Sequence, residues 1–64
     1  MSEREEKFEA MLRAVQTEYD TTAQKMEKLK AEGKTKTAAF RELLGEKLLL
    51  QNILARYRAY GLLD

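Results

Sequence analysis

The chain predicts an all-α fold, an antiparallel two-helix hairpin of coiled-coil-like character, and three observations carry that prediction. Phe8, Leu12, Val15, Tyr19, Thr22, Met26 and Leu29 recur with alternating steps of four and three, the heptad spacing of a helix packed along its length on another helix. A second row, Phe40, Leu43, Lys47, Leu50, Leu54 and Tyr57, follows Gly33. No proline interrupts either row, so neither helix has an obligatory kink. Folding the chain back at Lys34–Thr35 sets Leu29 opposite Phe40, Met26 opposite Leu43, Tyr19 opposite Leu50 and Leu12 opposite Tyr57. The expected organisation is one helical-hairpin domain over residues 1–64.

The first helix is expected over about residues 3–32. Ser2-Glu3-Arg4-Glu5 has the form of a capping box, in which the Ser2 hydroxyl accepts from the Glu5 amide and the Glu5 carboxylate reaches back to the Ser2 amide. Glu3, Glu5 and Glu6 then sit at the positive end of the helix dipole, and Lys25, Lys28 and Lys30 lie toward its negative end. Glu3–Lys7 and Glu9–Arg13 are favourable pairs one turn apart. Gly33 can take the left-handed conformation that closes a helix.

The turn is expected at residues 33–36, with Thr35 or Thr37 as the cap of a second helix over about 37–60. A link this short makes the helices antiparallel neighbours. Gly61-Leu62 resembles a Schellman ending with Leu62 packed back on Tyr57. Gly45 is the one interior weakness, costing roughly 1 kcal/mol relative to alanine. It is read as lying within a continuous helix; the alternatives are a bend there or a close helix approach. Thr22 and Lys47 form the polar layer of the seam; it is read as a lysine with its stem on the seam and its ammonium in water, the alternative being a buried polar device that fixes register.

The second helix is too apolar for a hairpin alone. With its seam residues assigned, Leu44 and Leu48 remain on one flank, Leu49, Ile53 and Tyr60 on the other, and Leu62 and Leu63 at the terminus. Surplus of this kind marks an interface. Burying a leucine or isoleucine contributes on the order of 1.5–3 kcal/mol. The expectation is a homodimer forming a four-helix bundle with the second helix central, or a helical protein partner. The expected self-association residues are Met11, Leu44, Leu48, Leu49, Ile53, Tyr60 and Leu62. A bend at Gly45 is the competing account, since it would let one hairpin wrap most of them.

Composition narrows the remaining options. At 64 residues the chain is short for a stable core without disulfides, a metal or association. It has no cysteine and no histidine, which removes disulfides, thiolate metal sites and the commonest transition-metal ligand. No cofactor, metal or small-molecule substrate is expected. No apolar run is long enough to span a bilayer, and the first residues are charged where a secretory signal is apolar, so a cytoplasmic location and no membrane association are expected. The net charge is +1, but residues 1–33 carry six basic and eight acidic side chains against six and three in residues 34–64. The plain reading is two solvated helix faces.

Motifs that hint at chemistry are outweighed by their context. Gly33-Lys34-Thr35 has the ending of a phosphate-binding loop, but the pattern needs a glycine where Lys28 stands and a preceding strand. Lys34, Lys36 and Arg41 could still hold an anion at the amino end of the second helix. Glu42 and Glu46 lie one turn apart, yet carboxylate-bridged metal centres in bundles complete their ligand set with histidine. The hydroxyl side chains have no histidine base, which argues against an enzyme. Arg56-Tyr57-Arg58-Ala59-Tyr60 interleaves cations and rings as nucleic-acid surfaces do, but Tyr57 belongs to the seam and Tyr60 to its flank. Two function classes follow. The first is a non-enzymatic helical interaction or oligomerisation module associating through its leucine-rich second helix. The second is a small nucleic-acid-binding bundle using Lys34, Lys36, Arg41, Arg56 and Arg58.

Overall fold

A computed structural model describes residues 2–63 as two helices, α1 (Glu3–Ala31) and α2 (Ala38–Ala59), packed antiparallel. The molecule is a rod of 48 × 19 × 18 Å, and its long dimension is close to the roughly 44 Å that the residues of α1 span at 1.5 Å each.

Local chemistry sets each end. The Ser2 hydroxyl accepts from the Glu5 N–H at 3.1 Å, so the hydroxyl half of the capping box forms and three glutamates follow in the first turn. Gly33, at φ 72°, closes α1. The Lys34 N–H donates to the Leu29 carbonyl at 2.8 Å and the Gly33 N–H to that of Lys30 at 3.0 Å, the paired bonds of a Schellman ending. Thr37, rather than Thr35, caps α2. Its hydroxyl accepts from the Phe40 N–H at 3.2 Å and donates to the Lys34 carbonyl at 2.9 Å, tying cap to turn. Gly61, at φ 75°, ends α2 in the same way, with Leu62 donating to Tyr57 at 2.9 Å. The pairs Glu3–Lys7 (3.4 Å) and Glu9–Arg13 (4.0 Å) form on the exposed face.

Helix α2 runs unbroken through Gly45. A Cβ built there would meet nothing within 4 Å, so neither a bend nor a close approach to α1 accounts for the glycine. The seam closes from Leu12 to Leu29: Val15, Thr22 and Met26 of α1 and Leu50 and Leu54 of α2 are buried, and Leu12, Tyr19, Leu29, Phe40, Leu43, Lys47 and Tyr57 are half-buried. Val15, Leu50 and Leu54 form the central cluster, against which Leu12, Tyr19, Ile53, Tyr57 and Leu63 pack. Beyond Leu12, the Phe8 and Tyr57 rings meet edge to face at 5.5 Å between centroids.

The polar layer of Thr22 and Lys47 lies on the seam as expected, and Glu46 joins it. Thr22, only 3% exposed, donates its hydroxyl to Glu46 Oε1 at 3.4 Å. Lys47 turns to Tyr19, its ammonium 5.9 Å from the ring centroid, at the reach of a cation–π contact. The lysine stem lies on the seam while its charge stays near water.

Candidate association surface

The core built by the seam is thin. Among the described residues four hydrophobic side chains are buried, and none is enclosed completely. A compact folded chain of 7.4 kDa exposes about 4,200 Å². This hairpin exposes 5295 Å², an excess on the order of 1,100 Å² over that scaling.

Large hydrophobic side chains are among those left exposed. Met11 of α1 and Leu44, Leu48, Leu49, Tyr60 and Leu62 on and just beyond α2 are all exposed, Leu49 at 61% and Tyr60 at 80%. These are six of the seven residues expected to mediate association. Ile53 is placed differently: it is half-buried and packs against the Val15–Leu50–Leu54 cluster, so only part of its side chain faces outward. Leu63 turns in on the same cluster. Phe8, a seam residue, stays 38% exposed at the open end. There Phe8, Ile53, Arg56, Tyr57, Tyr60 and Leu62 line an open, largely apolar cleft.

The five basic residues proposed for anion or nucleic-acid contact do not converge. Lys34, Lys36 and Arg41 are at the turn end, whereas Arg56 and Arg58 are on the last turns of α2, so Arg41 and Arg56 are separated by roughly 22 Å along the helix axis. The Lys34 ammonium is 3.4 Å from the Glu32 carboxylate, which offsets its charge locally. Among the described residues no group of three acidic, cysteine or histidine side chains is arranged to hold a metal ion, and no helix is long and apolar enough to cross a membrane. Glu42 and Glu46 are exposed, and Glu46 is engaged by Thr22.

The features so defined are those of a small all-α hairpin with an unpartnered apolar face. No family model, curated protein or solved structure matches the chain.

Proposed function

We propose that the protein is a non-enzymatic association module, in which a second copy of the hairpin covers the apolar face of α2 and the two hairpins form a four-helix bundle. The observation that carries this reading is the exposure of Leu44, Leu48, Leu49, Tyr60 and Leu62 on the two flanks of the seam and just beyond α2, beside a core of only four buried hydrophobics among the described residues. A standard protein interface removes about 800 Å² from each partner. That area would absorb most of the surface this chain exposes beyond a compact one. A second copy also meets a size requirement, because chains this short gain stability by association when no disulfide or metal supplies it.

Light scattering coupled to chromatography, with circular dichroism at the same concentrations, tests the proposal. The expected result is a helical dimer at micromolar concentration. A well-folded monomer there, with a melting temperature independent of concentration, would overturn it. The separation of the basic residues lends no support to the nucleic-acid alternative. A steeply salt-dependent affinity for RNA or DNA would be its signature, and none is expected.

A further inference from the structure

Two apolar stripes flank the seam of α2. Glu42, Glu46, Leu49, Ile53, Arg56 and Tyr60 recur with steps of four, three, four, three and four. At about 100° per residue they form one stripe about 100° around α2 from the Leu50–Leu54 line, with Glu46 and Ile53 on its edge nearer α1. On the other side Arg41, Leu44, Leu48, Gln51, Ala55 and Arg58 form a second stripe of the same period, whereas Leu62, beyond Gly61, lines a cleft with Ile53, Arg56 and Tyr60.

A two-fold axis perpendicular to α2 lays one end of a stripe on the other end of its copy. A stripe with opposite charges at its two ends therefore attracts its copy in this alignment. The Glu42–Tyr60 stripe has carboxylates at one end and a guanidinium at the other. With the axis passing near Gln51, the antiparallel alignment sets Leu49 against Ile53 of the copy, Glu46 against Arg56, and Glu42 against the Tyr60 hydroxyl, each pair occurring twice. The parallel alignment sets Glu46 on Glu46 and Arg56 on Arg56. Glu46 gives only Oε1 to Thr22, leaving Oε2 for a cation. Arg56 is exposed and makes no ion pair among the described residues. Tyr60, at 80% exposure, stands out at the end of the stripe.

We infer that the occupant of this stripe is the same stripe of a second chain, paired antiparallel, with intersubunit Glu46–Arg56 ion pairs fixing orientation and register around a Leu49–Ile53 centre. The inference rests on the dimer reading above and adds direction and register. Opposite charges brought to heptad flanking positions select partner and orientation more than they add affinity.

The test uses the full chain and reads the dissociation constant by sedimentation equilibrium. Glu46→Gln keeps an oxygen for Thr22 while removing the charge. Antiparallel pairing predicts dimerisation weakened roughly fivefold, from two exposed ion pairs lost, whereas a parallel dimer would tighten because carboxylate repulsion is relieved. Orientation is read independently by oxidative cross-linking, since the cysteine-free chain offers no competing thiol. A mixture of Glu42→Cys and Tyr60→Cys chains should form the mixed disulfide. Tyr60→Cys alone should not link, because its two copies would lie roughly 27 Å apart against the 4.4–6.8 Å between Cα atoms that a disulfide spans. Unchanged or tighter association of Glu46→Gln, or self-linking of Tyr60→Cys, would overturn the antiparallel pairing while leaving the dimer intact. A parent chain that stays monomeric would overturn the dimer reading itself.

Discussion

Replacing Leu49 by glutamine separates association from folding, because the hairpin makes little use of this side chain. Leu49 is 61% exposed in the single chain. Covering a leucine completely contributes about 1.5–3 kcal/mol. Covering the part that the hairpin leaves open therefore supplies about 1–2 kcal/mol in each copy, and about 2–4 kcal/mol in a symmetric dimer. Glutamine is of similar length and has nearly the same helix propensity as leucine, so helix content should be unchanged. The dissociation constant measured by sedimentation equilibrium should rise roughly 30- to 1,000-fold. The melting temperature of the parent should climb with concentration, and that of Leu49→Gln should do so only at much higher concentration. If Leu49→Gln associates within about threefold of the parent, this surface is not the one that a second chain covers.

Four further substitutions probe the hairpin. Gly45→Ala should stabilise by about 1 kcal/mol, since its Cβ meets nothing, and should raise the melting temperature by about 4–8 °C; a fall would show a conformational need for glycine in α2. The same change at Gly33, where φ is 72°, should destabilise by about 1–2 kcal/mol in urea unfolding. Thr37→Ala removes both the helix cap and the bond to Lys34, and should cost about 1 kcal/mol by the same measurement. Thr22→Val buries a methyl where the hydroxyl now reaches a carboxylate on an exposed residue at 3.4 Å. That carboxylate is free to return to water, so a gain of up to about 1 kcal/mol is expected, and a loss of that size would assign the hydroxyl a larger structural role.

The strongest signals in the sequence are those whose chemistry is local. Gly33 and Gly61 stop their helices because a residue without a Cβ enters the left-handed region at no steric cost, and Ser2 and Thr37 start them because a short hydroxyl satisfies an amide one turn ahead. The seam was legible because its period leaves one consistent face per helix. What the period does not fix is the rotation of one helix about its own axis. Ile53 sits three residues after Leu50 and four before Tyr57, on the shoulder of the seam. There it packs on the Val15–Leu50–Leu54 cluster, and Glu46, the neighbour of Lys47, reaches Thr22. Physical preference runs the same way, because an apolar shoulder gains by burial and a lysine gains by keeping its ammonium wet. The contact of Phe8 with Tyr57, one turn beyond the expected Leu12 partner, reflects side-chain length and direction, which residue spacing alone does not encode. Of the candidate surface, the exposed leucines are legible as surplus once the seam is assigned, and the spread of Arg41 and Arg56 along one helix is legible from their spacing alone.

Stability and association are coupled in a chain built this way. Each helix carries its own start and stop, but an isolated helix gains little from local terms alone, and most of its stability must come from packing an apolar face. Here that packing is one seam with four buried hydrophobics among the described residues. Leu49 and Tyr60 remain open beside this seam, so a second chain would add packed surface without adding a turn or a cap. Anything that binds the folded hairpin shifts its folding equilibrium by mass action. Substitutions at Leu49 and at Leu50 should then both lower the melting temperature, for different reasons: Leu50 acts inside each hairpin at every concentration, whereas Leu49 acts only where two hairpins meet.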